Sequence, residues 1–292
     1  MIIPSLPENN FVALLGTKGG PSIRPGSGMP TSSLVQLDGH LIVVDCGLGV
    51  TRSLTNQGME LKKLSLIFIT HLHSDHYLEL GPPIHTAWVA GRADPITVIG
   101  PSGLTDYWQG FLQSMKADIE LRIEDEGRPD LSKLLIIKEM DEGTIYDEDG
   151  IVVSAMRNEH PPIEETYALC FQARSHKIVF SGDTAFLPKL AEFADQADLL
   201  VHEAMLKDAL EPLMARIGNA DDRLMKHWLR SHTFARDAAK IAAMAKVPVL
   251  ALHHLIPSDD PDFDVPDWER AVAPHYDGKL VVGHDGLRID LD

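Results

Sequence analysis

Thr70-His71-Leu72-His73-Ser74-Asp75-His76 follows a short apolar run, residues 66–70, of the buried-strand type. In extended backbone alternate side chains share a face, so His71 and His73 point the same way and can hold one metal ion. The chain then turns, and Asp75 and His76 face a second ion nearby. Imidazole and carboxylate donors suit zinc, manganese or iron. A satisfied core histidine explains one such residue, not three histidines and an aspartate within six positions.

One heptapeptide does not complete two coordination shells, so further donors must come from strand ends elsewhere. The candidates are His160 in Asn158-Glu159-His160-Pro161, Asp183 in Phe180-Ser181-Gly182-Asp183-Thr184, and the pair His253-His254. Each closes an apolar run, where a sheet can hold it. Taken singly, Asp183 reads equally well as a helix N-cap and His160 as a loop histidine.

Outward from these motifs, both halves of the chain alternate strands with helices. Strands are expected over residues 11–15, 34–37, 41–44 and 96–99, with Asp38-Gly39 as a hairpin turn. A helix is expected over 104–115. The second half offers strands over 151–156, 167–171, 177–180, 199–202 and 247–252, and helices over 187–194 and 234–245. Residues 280–282 and 287–289 read as a closing hairpin around Asp285-Gly286. This order predicts an α/β protein, a four-layer αββα sandwich formed as a single domain over residues 1–292. Residues 204–230 form a helical insertion broken at Gly218-Asn219. It is expected to act as a lid or a dimer contact, ordinary surface packing being the plain alternative.

Composition narrows the partners. The formal charge of −17 argues against a phosphate backbone, whose binding normally rests on basic patches. The two cysteines, Cys46 and Cys170, do not make a disulfide framework and point to a reducing compartment. Met1-Ile2-Ile3-Pro4-Ser5 lacks a signal-peptide pattern and no apolar run approaches a membrane span, so a cytoplasmic protein is expected.

The motif series resembles the metallo-β-lactamase superfamily, in its ribonuclease Z and arylsulfatase-like branch. It runs through His71-Leu72-His73-Ser74-Asp75-His76, His160, Ser181-Gly182-Asp183-Thr184, His202-Glu203-Ala204, Ser231-His232-Thr233 and His254. The likeness covers about residues 14–257. It implies two divalent ions, zinc first with manganese or iron as alternatives. One ion would be bound by His71, His73 and His160, the other by Asp75, His76 and His254, with Asp183 bridging. His253 competes with His254, which is favoured because Pro257 follows at the family's spacing. Asp45 would orient a ligand histidine.

The resemblance further implies a metal-bridging hydroxide attacking a phosphorus, sulfur or carbonyl centre. Asp75, His232 and Glu203 would be catalytic. His232 would protonate the leaving group while Glu203 holds its other nitrogen; helix-start packing is the plain reading of His232. His202 reads equally well as structural. Residues 16–25 lack a clear copy of the loop found in transfer-RNA-cutting relatives. Residues 104–151 lack a basic arm and carry Asp125, Glu126, Asp141, Glu142, Asp147, Glu148 and Asp149 instead. The expected substrate is therefore a small-molecule ester: a phosphodiester, aryl sulfate or carboxylic ester. Nucleic acid and membrane are not expected as partners, and a homodimer is. A lactonase or cyclic-amide hydrolase on the same metal site, and a catalytically weak ligand-sensing protein of the same fold, are the alternatives.

Overall fold

The computed structural model describes residues 6, 9–218 and 221–291; residues 1–5 and Asn219, read above, lie outside them. The first half runs β1 (Phe11–Gly16), β2 (Ser32–Leu37), β3 (His40–Cys46), α1 (Val50–Asn56), β4 (Leu66–Phe68), α2 (Ser74–Tyr77), α3 (Gly81–Val89), β5 (Ile96–Gly100), α4 (Leu104–Ser114), α5 (Lys116–Glu126) and β6 (Leu135–Glu139). The second runs β7 (Gly143–Glu148), β8 (Ile151–Arg157), β9 (Tyr167–Gln172), β10 (Lys177–Phe180), α6 (Lys189–Phe193), β11 (Leu199–Met205), α7 (Leu210–Ile217), α8 (Arg223–Ser231), α9 (Ala235–Met244), β12 (Val249–Ile256), α10 (Val265–Val272), β13 (Lys279–Val282) and β14 (Leu287–Asp290).

The strands form two sheets, ordered β14-β1-β2-β3-β4-β5-β6 and β13-β12-β11-β10-β9-β8-β7. Strand β1 shows how four layers arise. Its alternate residues Val12 and Leu14 face the second sheet, packing in one cluster with Phe68, Tyr167, Leu169 and Val201. Phe11, Ala13 and Leu15 face outward into a cluster with Leu54, Ile84, Trp88 and Leu104 from α1, α3 and α4. On the far side, Val179, Leu200 and Leu250 pack against Leu190, Ala238, Ala242 and Trp268 from α6, α9 and α10. Both faces of both sheets are thus covered, which is why the central strands read as near-continuous apolar runs.

The expected closing hairpin is not formed. Strand β13 pairs in parallel with β12, whereas β14 pairs antiparallel with β1 in the other sheet. Asp285-Gly286 is the crossing between them. The Asp285 carboxylate accepts hydrogen bonds from Thr17 N and Oγ1, both at 2.9 Å, and from Met29 N at 2.6 Å. The turn signal was real, but its carboxylate is used to pin the segment after β1.

The parallel strands β3 and β4 in one sheet, and β10, β11 and β12 in the other, end on the same edge of the sandwich, where the candidate residues lie. Close backbone approach at this edge requires glycine. A Cβ on Gly47 would lie 2.4 Å from the Asp75 carbonyl and 2.6 Å from that of Thr31. Gly110, inside α4, has open space around it. Gly47→Ala should therefore lower unfolding stability by about 1–3 kcal/mol through overpacking. Gly110→Ala should raise it by about 0.5–1 kcal/mol by restricting the unfolded chain. Urea unfolding of the two variants checks the opposite signs.

Candidate metal centre

The centre is built from loops at strand ends. After β4, Thr70 bridges inward: its N and Oγ1 donate to Asp45 at 2.8–3.1 Å. With that hydroxyl proton used, His71 Nδ1 must donate to Thr70 Oγ1, at 3.1 Å. His76 Nδ1 donates to Asp45 Oδ2 at 2.8 Å, and His160 Nδ1 to the Ser231 carbonyl at 2.8 Å. Asp45 does orient a histidine of the cluster. Three rings are thereby fixed as Nδ1–H tautomers whose Nε2 atoms face inward.

Those inward atoms converge on one carboxylate. Asp183 Oδ2 lies 3.0 Å from His254 Nε2, 3.3 Å from His76 Nε2, 3.8 Å from His71 Nε2 and 4.0 Å from His160 Nε2. Among the described residues four groups have donor atoms within 4.8 Å of one another: His71, His73, His160 and Asp183; Asp75, His76 and His254; and two that share members with these, His160, His227 and His232, and Asp183, His232 and His254. His73 Nδ1 is 3.2 Å from His71 Nε2 and 2.9 Å from His160 Nε2. Ligands at about 2.0–2.1 Å around a tetrahedral ion have edges of roughly this length. His76 Nε2 is buried without a hydrogen bond. The donor set fits two divalent cations.

Electrostatics point the same way. Burial works against a charged His254 ring, yet Asp183 and Asp75 outweigh it and raise its pKa to about 10. Burial is likewise outweighed at His76, where Asp183, Asp45 and Asp75 hold the pKa well above the ordinary value. Buried carboxylates here demand positive charge, and divalent ions can displace the protons that would otherwise supply it.

The pair at the end of β12 is separated by a bulge. Glu203 pairs with His253 and Ala204 with Leu255, so His254 is the extra residue, at φ +44°. The bulge turns His254 into the centre. His253 faces away, its Nε2 donating to the Gly16 carbonyl at 2.8 Å. His202 is also outside the cluster, its Nδ1 donating to the Glu203 carbonyl at 2.7 Å. Glu203 accepts from Thr184 N and sits 3.0 Å from His232 Nδ1, so His232 presents Nε2 to the centre. Burial pushes the Glu203 carboxyl up and His232 down to about 4.

A cleft of about 760 Å³ opens over the cluster. Asp183, His232 and His254 form part of its lining, with Lys18 and Arg24 from the segment after β1. Leu213, Ile217, Leu224 and Trp228 line it from α7 and α8, so the insertion stands beside the centre. Arg24 pairs with Asp259 at 2.8 Å, and Arg216 with Asp260 and Asp262. The sequence reading missed His227 on α8, whose ring lies 5.6–5.9 Å from those of His73, His160 and His232. The only sequence signal was its place five residues before His232 in an amphipathic stretch.

A family model described as Anti-Pycsar protein Apyc1 matches residues 14–218. Ribonuclease Z of Mycobacterium marinum is 31% identical over 283 residues, covering 96% of this chain and 98% of that protein. Among solved structures, the metallo-β-lactamase fold protein YhfI from Bacillus subtilis aligns with TM-score 0.71 at 18% identity, covering 97% of this chain and 100% of that one. Human tRNase Z, short form, aligns with TM-score 0.67 at 20% identity, over 97% and 99% of the two chains.

These relatives overturn the expectation of a small-molecule substrate in place of nucleic acid, because the near-full-length match is an enzyme named for RNA. The error lay in treating the net charge as a property of the site. Lys18, Arg24 and Arg216 line the cleft beside Asp75, Asp183 and Asp259, so the cleft is not acidic as the whole chain is, and bound cations would add positive charge there. A missing arm removes one way of holding RNA, not the chemistry. Among the described residues no helix is long and apolar enough to cross a membrane.

The two neighbouring histidines should separate cleanly. His254→Ala should lower affinity for one of two metal ions by at least tenfold. His253→Ala should leave metal content unchanged and cost about 1–3 kcal/mol of stability, through the buried Gly16 carbonyl left unpaired. Elemental analysis and urea unfolding read the two effects.

Proposed function

Because the chain belongs to the Anti-Pycsar protein Apyc1 family and, with ribonuclease Z, to the metal-dependent hydrolases of the metallo-β-lactamase fold, we propose that it is a two-metal phosphodiesterase acting on phosphodiesters of the RNA type. The observation that carries this reading is the single Asp183 oxygen within 4.0 Å of four imidazole Nε2 atoms. In this reading His71, His73 and His160 hold one ion and Asp75, His76 and His254 the other, with Asp183 between them. Zinc is the proposed metal. Two such ions, when bound, would supply a hydroxide near neutral pH and offset charge on the phosphoryl oxygens.

The protein's own groups do the rest. Gly20 N donates to Asp75 Oδ2 at 2.8 Å, which fixes the orientation of that carboxylate. His232 presents Nε2 toward the leaving oxygen and shares a proton with Glu203 through Nδ1. Helices α7 and α8 act as a lid: their apolar residues, packed with Trp228 and Ile256, give the cleft one apolar wall.

The mechanism predicts a leaving-group signature. Chelator treatment should abolish hydrolysis of bis(4-nitrophenyl) phosphate and of an RNA oligonucleotide, and zinc should restore both. His232→Ala should slow RNA cleavage, whose leaving alkoxide needs a proton, by roughly 10²–10⁴-fold in kcat. The aryl ester, with a good leaving group, should be slowed far less. Equal losses on both would remove His232 from the role of acid.

A further inference from the structure

His227 is left over from this mechanism. It stands on α8, half-buried, and lines the cleft. Its ring is edge-on to His73, His160 and His232, with centroids 5.9, 5.7 and 5.6 Å away. Among the described residues its one hydrogen-bond neighbour is Ser231 Oγ, 3.4 Å from Nδ1. That hydroxyl already spends its proton on the Pro161 carbonyl at 2.7 Å. The His227 ring must therefore be the donor, through Nδ1–H. In a neutral imidazole the other nitrogen is then a bare acceptor.

An acceptor beside a phosphodiester site has few partners to choose from. Phosphoryl oxygens carry no hydrogen, so an unprotonated nitrogen repels them. The donor nearest the phosphorus in an RNA strand is the ribose hydroxyl, the group by which a protein tells RNA from DNA. Resting on the phosphodiesterase reading above, we propose that His227 Nε2 accepts a hydrogen bond from the ribose 2′-hydroxyl next to the scissile phosphate, and so sets a preference for ribose. The residue sits on the lid helix, and the Ser231 carbonyl of that helix also holds His160. Seating the hydroxyl therefore ties the lid to the metal centre.

The test compares three substrates with the zinc-loaded protein: a single-stranded oligoribonucleotide, the oligodeoxyribonucleotide of the same sequence, and bis(4-nitrophenyl) phosphate. The wild type should favour the ribose strand in kcat/KM by about five- to tenfold, as one neutral hydrogen bond allows. In His227→Ala the ratio should fall to about one, through loss on the ribose strand alone, with aryl ester hydrolysis and metal content unchanged. His227→Gln, which keeps an acceptor, should recover part of the preference. A wild type without preference, or a ratio unchanged in His227→Ala, overturns the assignment. So does an equal loss on all three substrates, which would place His227 on the attacking water or in lid folding. If the wild type cleaves the aryl ester but neither strand, the RNA-type reading fails and this assignment with it.

Discussion

Asp183 Oδ2, with imidazole nitrogens at 3.0, 3.3, 3.8 and 4.0 Å, is the point on which the rest of the molecule is organised. A buried carboxylate in such company is costly unless positive charge reaches it. Hydrogen bonds fix three of the rings so that they present lone pairs toward it. Cations satisfy the carboxylate and the nitrogens together. Protons satisfy one or two of the contacts and leave the others opposed.

The two sheets make this arrangement rigid. Asp45 at the end of β3 holds His76, and Thr70 past β4 holds His71. On the other sheet, Asp183 follows β10, Glu203 within β11 accepts from Thr184 N, and a bulge aims His254 inward. His71 and His76 are thus supported by groups at strand ends, and His160 by the Ser231 carbonyl at the end of α8. Glycines at close approaches, Gly47 against Asp75 above all, let the loops meet. The cost of the design is a layer of buried polar groups along one edge of an otherwise apolar sandwich. A mutation of a supporting residue such as Asp45 is therefore expected to register in metal affinity before it registers in fold.

Much of this was legible in the sequence because the signals were chemical. Histidines and aspartates at strand ends stand out against apolar runs, and their order carried the family. The central strands were also plain, being buried on both faces. Elements with weaker contrast were missed. Helix α5 reads Lys-Ala-Asp-Ile-Glu-Leu-Arg-Ile-Glu-Asp-Glu and buries only Ile119, so it offered no apolar stripe. The β13–β14 segment looked like a hairpin because local turn chemistry does not reveal that each strand is captured by a different sheet. His227 escaped notice because a histidine in an amphipathic helix has no metal-like spacing; only the fold of the insertion brings it to the cleft. The substrate expectation failed for a related reason: a net charge sums the whole surface, while a phosphate meets a few residues.

The central claim is that Asp183 bridges two ions. Diffraction from crystals of the zinc-loaded protein, with data collected on both sides of the zinc absorption edge, measures this directly. The account predicts two anomalous peaks about 3.5–4 Å apart, one beside His71, His73 and His160, the other beside Asp75, His76 and His254, with Asp183 contacting both. A single peak, or two peaks that leave Asp183 unbound, would contradict it.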